Sequence, residues 1–232
     1  MEGTLTIESA ARLIEFASAA EQSFAANLSD DDRVEAGTPE RWGATAALAH
    51  LADWKAIQVE RMRAELEGRP APVCDGLPFP HRDAEAYAPF AALAWDGIPE
   101  WLATVGADLA AVTRRFADGD IERRFEWTLG KPLAQQLMGR GVWHTMTHLT
   151  EHHRQRGRDA AATRLSTQLA GLIAELRAWP LAGDAASHYN VACLCALGGR
   201  LDDARVLLDE AIALDPSFAE HARTDSDLAA VA

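Results

Sequence analysis

The 232-residue sequence has only three cysteines, and their spacing excludes two common architectures. Cys74, Cys193 and Cys195 are odd in number and form no C-x-x-C pair. A disulfide framework and a zinc ribbon both need paired cysteines, so neither is indicated. We therefore expect a reducing, cytoplasmic setting.

Long hydrophobic runs are also lacking. No apolar run approaches the roughly 20 residues of a membrane-spanning helix. The first residues show no basic region followed by a hydrophobic stretch, which is the mark of a secretory leader. These absences predict no membrane association.

Basic residues are few, with 22 Lys and Arg against 35 Asp and Glu, for a net charge of −13. Nucleic-acid binders concentrate basic residues on one face, whereas the only cluster here is Arg154, Arg156 and Arg158, with Arg164 further on. We interpret this cluster as a solvated helix end, where cations complement the helix dipole. An anion-binding role for one of these arginines is the alternative. We expect no nucleic-acid partner.

Aromatic residues make up only 7% of the chain, and its richness in Ala, Leu, Glu and Arg favours helix over sheet. Apolar spacing and cap signals therefore predict an all-α fold. The predicted helices cover residues 7–28, 38–66 (opened by Thr38-Pro39-Glu40), 83–117 with an interruption near 96–99, 132–155, and 159–179. Residues 68–81 read as a long connection that shapes a pocket mouth. The economical arrangement of residues 1–158 is a four-helix bundle.

Four of the eight histidines lie within the fourth predicted helix. His144, His148 and His152 share one face because residues four apart are neighbours along a helix. His144 and His152 are separated by about 12 Å of helix rise, so all three cannot easily reach one cation. We therefore expect two histidines one turn apart to bind a metal together, with at least one further ligand from elsewhere in the chain.

Two short motifs carry a resemblance to a known family. The first is Leu48-Ala49-His50-Leu51-Ala52-Asp53-Trp54, preceded by Trp42, and the second is His148-x-x-x-His152 followed by an arginine. Over residues 5 to 158 the chain resembles the DinB-like superfamily. This superfamily includes bacillithiol transferases, mycothiol-dependent maleylpyruvate isomerases and ClbS/DfsB proteins. The resemblance implies a small four-helix bundle that holds a divalent metal, often zinc or nickel, on three histidines.

Carried over to this chain, the resemblance implies that His50, His148 and His152 are the metal ligands. His153 is an alternative to His152, because the family pattern often ends in His-Arg-Gly-Gln, whereas here two histidines precede Arg154. Helix geometry favours His152, since His153 lies about 140° around the helix from His148. His144 with His148 is a competing pair.

An open three-histidine metal site suits either hydrolysis or the transfer of a low-molecular-weight thiol to an electrophile. Asp53 lies three residues from His50 on nearly the same face, which makes it a weak catalytic candidate or an orienting group for that imidazole. Its alternative interpretation is an exposed helix residue. We interpret Trp42, Trp54, Trp127 and Trp143 as core rather than substrate-stacking residues.

The C-terminal part, residues 159–232, predicts a separate helical extension. The stretch from Ser187 to Pro216 resembles one tetratricopeptide repeat. The residues at that motif's small, turn, packing and terminating positions are Ala192, Gly199, Ala204, Leu208, Ala211 and Pro216. One repeat cannot form the concave groove of longer arrays, so we expect it to dock on the bundle or on a second subunit.

The leading hypothesis is a metal-dependent protein that acts on a small electrophilic metabolite or toxin by thiol transfer or hydrolysis. One alternative is a non-catalytic scaffold that binds a protein partner through the C-terminal repeat. Another is the metal-free, protective hydrolase that the ClbS/DfsB resemblance implies. We expect a small-molecule substrate, with a homodimer compatible with each hypothesis.

Overall fold

The computed structural model describes residues 4–72, 87–181 and 183–231, and the only β-pairing in these ranges is an isolated bridge between Thr38 and Arg41. Everything regular in the described chain is helical, which confirms the predicted all-α class. No helix within these ranges combines the length and apolarity that crossing a membrane requires.

The α-helices are numbered in chain order over the described residues. They are α1 (Ile7–Ala26), α2 (Asp30–Val34), α3 (Ala44–Leu66), α4 (Ile98–Thr113), α5 (Leu133–Met138), α6 (His144–Arg154), α7 (Asp159–Leu176), α8 (Ala185–Leu197), α9 (Leu201–Leu214) and α10 (Phe218–Thr224). A π-helical turn, Gly139–Trp143, joins α5 to α6.

The helices α1, α3, α4 and α6 form the bundle that carries the histidines. Helix α4 packs against both α1 and α3, and α6 packs against the same two helices. Helix α1 begins where Thr6 caps it, because the Thr6 hydroxyl accepts a hydrogen bond from the Ser9 N–H at 3.2 Å. Its apolar face, which includes Leu13 and Ile14, is fully buried against the other helices.

Helix α3 begins at Ala44, so the predicted start at Thr38 is wrong. The Thr38 hydroxyl does accept a hydrogen bond from the Arg41 N–H at 3.2 Å, but it closes a tight turn instead of capping a helix. Backbone hydrogen bonds between Thr38 and Arg41 complete that turn. Gly37 then lies so close to Gly43 that a Cβ on Gly37 would be 2.0 Å from the Gly43 nitrogen. The chain therefore doubles back before α3 starts.

The helix predicted over residues 83–117 is helical over only part of its described range, and residues 83–86 lie outside the described residues. Residues 88–97 form turns and bends, and α4 begins at Ile98 after Gly97, whose φ is 82°. The predicted interruption is confirmed, because Pro99 lies in the first turn of α4, where its missing N–H has no helical partner to lose. The predicted connection over residues 68–81 lies outside the described residues from position 73 onward.

The π-helical turn sits in the middle of the predicted histidine helix, which Pro132 opens as expected. Gly141 packs against α1, and a Cβ on it would lie 2.7 Å from Cγ1 of Ile14. Gly139 faces open space. Because a π turn holds one more residue than an α turn, it sets the face that α6 presents to the bundle.

The C-terminal helices dock on the bundle. Helix α7 packs against α6 and α1, and α8 packs against α7. Helix α7 ends at Leu176, shortly before the predicted end at residue 179, with Arg177 in the left-handed region at φ 52°. The Leu5 N–H donates a hydrogen bond to the Trp179 carbonyl at 3.0 Å. One hydrophobic core therefore runs across residue 158, from α1 to α9.

Helices α8 and α9 form a hairpin over the predicted tetratricopeptide-like repeat. The turn between them contains Gly199 at φ 73°, a conformation that glycine adopts without a steric cost. Ala192, Ala204 and Ala211 are fully buried, as small packing residues are. The assignment to that repeat family stays a prediction.

Candidate metal centre

Two elements position three histidines around one point. Helix α3 carries His50, which is 7% exposed, on the face that it turns toward α6. Helix α6 carries His144 and His148, one turn apart and therefore on one face. Small neighbours in α3, such as Ala46 and Ala49, are buried and let the helices approach closely.

His144 lies at the centre of the three imidazoles, and its ring nitrogen faces one nitrogen of each of the other two rings. Nε2 of His144 lies 3.1 Å from Nε2 of His50 and 3.1 Å from Nε2 of His148. One ring nitrogen of each histidine lies within 4.8 Å of the other two, and no other group of three such ligands was found among the described residues.

Hydrogen bonds alone cannot satisfy this arrangement. A ring nitrogen of a neutral histidine offers either one hydrogen or one lone pair, yet Nε2 of His144 faces two nitrogens at the same distance. Imidazole nitrogens that share a zinc ion lie about 3.0–3.4 Å apart, given a metal–nitrogen distance of about 2.1 Å. The two contacts of His144 match this spacing, and the third pair of ring nitrogens, within 4.8 Å, is near the limit of about 4.2 Å for two nitrogens on one ion. A divalent metal therefore fits the donor set after a small approach of the His50 and His148 rings.

A comparison with protein families agrees with this geometry. Residues 13–155, more than half of the chain, match the model of the DinB superfamily. The chain belongs to the DinB superfamily. No curated protein and no solved structure gives a significant match. Members of this superfamily often bind a metal, and the matched range contains all three histidines of the cluster.

Burial favours the neutral form of His50 and His144 in the DinB cluster. Burial, and then the charge of the neighbouring His148, lowers the pKa of His50 to about 3. The pKa of His144 also falls well below its usual value, mainly through burial and then through the charges of His148 and His50. Neutral imidazoles present lone pairs at neutral pH, which is the form that binds metals.

Aromatic rings surround the histidines. The ring centre of Trp42 lies 4.9 Å from that of His50 and 5.5 Å from that of His148. Phe90 lies 5.2 Å from His50, and Trp54 lies 6.0 Å from both His50 and His144. Trp42 and Trp54 are half-buried, so the sequence-based interpretation of these two residues as core missed their position at the site. The sequence did contain a signal for this position, which is that both tryptophans belong to the same motif as His50.

His152 does not join the cluster, although the sequence and the resemblance favoured it. Its ring is 4% exposed and packs edge-on against Phe24 at 4.8 Å, and neither ring nitrogen has a hydrogen-bond partner among the described residues. Burial, and then the charge of Arg156, lowers its pKa to about 3. The physical reason is the position of each histidine along α6. Helix α3 crosses α6 beside His144 and His148, and His152 lies about 6 Å further along the helix.

The remaining candidates also lie apart from the three ring nitrogens. His153 packs against Phe24 at 5.4 Å, on the side of α6 that faces α1. Asp53 is half-buried, and burial raises the pKa of its carboxyl group. Nδ1 of His50 has no hydrogen-bond partner in the described chain, so no hydrogen bond from Asp53 orients that imidazole, which was one of the alternatives offered for Asp53.

A buried ion pair holds the helices that carry the cluster. Nζ of Lys55 on α3 donates to both carboxylate oxygens of Glu21 on α1, at 2.5 and 2.6 Å. The Thr145 hydroxyl on α6 donates to the same carboxylate at 2.5 Å. In the sequence, Lys55 directly follows Trp54 and Thr145 directly follows His144, so both lie next to rings of the site. The three helices are therefore tied together at the depth of the histidines.

Proposed function

We propose that this DinB protein holds one divalent metal, zinc or nickel, between His50, His144 and His148. It acts there on a small electrophilic metabolite or toxin, by thiol transfer or by hydrolysis. The observation that carries the proposal is the convergence of three ring nitrogens within 4.8 Å. A divalent metal on three neutral imidazoles supplies Lewis acidity, which activates water or a low-molecular-weight thiol.

The chain's own residues support this use in two ways. Burial holds His50 and His144 in the neutral form, so neither needs to lose a proton before it binds a cation at neutral pH. The rings of Trp42, Trp54 and Phe90 give the site apolar walls, which exclude water and suit the apolar part of a small substrate.

The metal content of the purified protein tests the ligand set. We expect about one divalent metal per chain in the wild type, and loss of that metal in His50→Ala, His144→Ala and His148→Ala, as measured by plasma mass spectrometry. His152→Ala is the matched control, because it removes an imidazole from the same helix outside the cluster. It should keep the metal.

Two outcomes would overturn the proposal. Loss of metal in His152→Ala with retention in His144→Ala would restore the ligand set that the resemblance implies. Absence of metal from all variants after soaking in zinc or nickel, with helical circular dichroism intact, would favour a metal-free protein or a scaffold. Screening of thiols and electrophiles then asks whether turnover is lost in the three ligand variants and kept in His152→Ala.

A further inference from the structure

A second concave site lies on the other side of α6 from the histidine cluster. It is an open cleft of about 550 Å³ between α1, the end of α6 and the start of α7. Its apolar lining comes from Phe16 and Phe24 on α1, Leu149 on α6 and Leu165 on α7. This volume is in the range of small-molecule sites, about 300–1,000 Å³.

The charge of the cleft is opposite to that of the protein. The chain has 35 acidic residues and a net charge of −13, yet no aspartate or glutamate lines the cleft. The lining instead includes Arg158, Arg164 and His153. The polar neutral residues Ser23, Asn27 and Gln168 complete it.

The two arginines of the cleft are weakly paired, and its histidine lacks a partner at one ring nitrogen. Nη2 of Arg158 lies 3.5 Å from the Asp32 carboxylate, and its side chain is 44% exposed. Arg164 is exposed and makes no ion pair or hydrogen bond within the described part of the chain. Nδ1 of His153 is buried and lacks a hydrogen-bond partner there. Burial, followed by the charges of Arg158 and Arg164, lowers the pKa of His153, as expected where positive charge is not balanced.

We propose that this cleft binds an amphiphilic carboxylate, with the carboxylate at Arg158 and Arg164 and an acyl or aryl body on the apolar lining. A guanidinium matches the two oxygens of a carboxylate. The lining of Phe16, Phe24, Leu149 and Leu165 offers nothing to a bare inorganic anion and removes an apolar body from water. The site is distinct from the metal cluster and does not depend on it.

Calorimetric titration of the full chain with three matched probes tests the proposal. Decanoate carries both features, decanol lacks the charge, and inorganic phosphate lacks the apolar body. We expect decanoate to bind at least tenfold more tightly than either of the others, since decanol forms no charge-assisted hydrogen bond with a guanidinium and phosphate buries no apolar surface. Equal binding of decanol, or equal binding of phosphate, would overturn it.

Variants assign the binding to this cleft. Arg164→Gln should weaken decanoate binding about tenfold, whereas Arg223→Gln, which removes the same charge from an exposed pair with Glu220, should not. Ser23→Trp fills the cleft from an exposed position and should abolish binding without loss of helicity.

The histidine cluster needs its own control, because a carboxylate also binds metals. Decanoate affinity should be unchanged in His144→Ala, which leaves the cleft intact. A loss of decanoate binding in His144→Ala would assign the ligand to the metal centre and overturn the proposal. Sedimentation of a dimer that Ser23→Trp disrupts, with no decanoate binding, would show that a second copy of the chain covers this cleft, and would overturn it as well.

Discussion

Lys55 has no exposed side-chain surface, and its charge is balanced by Glu21, which is equally buried. Removal of one partner leaves an uncompensated charge inside the bundle, which costs about 3–5 kcal/mol. We therefore expect Glu21→Leu to lower the free energy of unfolding by about that amount. Urea denaturation followed by circular dichroism measures it.

The double variant Glu21→Leu/Lys55→Met is the control for that prediction. Replacement of a buried pair by apolar groups of similar volume is often neutral or stabilising, so most of the lost stability should return. The Thr145 hydroxyl would still lack its acceptor, at a cost of about 1–3 kcal/mol. The single variant Lys55→Met completes the comparison. If the double variant lost as much stability as the two single variants together, Glu21 and Lys55 would not be coupled.

The sequence predicted that histidines form the site, but it could not predict which histidines of α6 join His50. His144, His148 and His152 are equally spaced, so two pairs with the same helical geometry share His148. What selects one pair is the level at which His50 meets α6, and that depends on packing between distant residues. The Phe24 ring that covers His152 comes from α1, more than a hundred residues earlier. No local pattern around His152 contains that information.

Among elements, the π turn offers a paired test. Gly141→Ala places a methyl group 2.7 Å from a buried carbon of Ile14, so we expect a loss of about 1–3 kcal/mol in the free energy of unfolding. Gly139→Ala meets nothing within 4 Å and has helical backbone angles, so we expect a gain of about 0.4–1 kcal/mol. Equal effects of the two substitutions in thermal and urea denaturation would contradict this account.

The helices themselves were largely predictable from the sequence. Their ends were predictable only where the local sequence contains the signal that ends or begins the helix. The start of α1 follows from apolar spacing, and the end of α3 falls at Leu66 as predicted. The start of α3 did not follow, because Thr38 caps a turn with the same hydroxyl that caps a helix. The π turn was also hidden, since the close approach of Gly141 to Ile14 on another helix leaves no mark in the local sequence.

For the whole molecule, the buried histidines predict acid sensitivity. His50 and His152 have folded-state pKa values of about 3, below the 6.5 expected when unfolded. Between these values the unfolded chain binds more protons, so this stability is fully present above pH 6.5 and is lost as the pH falls toward 3. Each histidine lowers the free energy of unfolding by about 1.4 kcal/mol per pH unit within that window.

Urea denaturation from pH 7 to pH 4.5, on protein freed of metal with a chelator, measures how the free energy of unfolding changes with pH. His152→Gln should flatten this slope by the contribution of one proton, because glutamine does not titrate. His221→Gln is the control, since His221 lies near the chain surface on α10. If the wild type and His152→Gln gave the same slope, His152 would already be protonated in the folded state.

The hydrogen bond from Leu5 to Trp179 also sets an order of events during synthesis. The first residues of the bundle complete their contacts with a residue that leaves the ribosome more than 170 positions later. A nascent chain that has just finished α6 still exposes the apolar surface of α1 that α7 and Trp179 cover. Chaperone binding to arrested chains should therefore persist past residue 158 and end only once residue 179 has emerged.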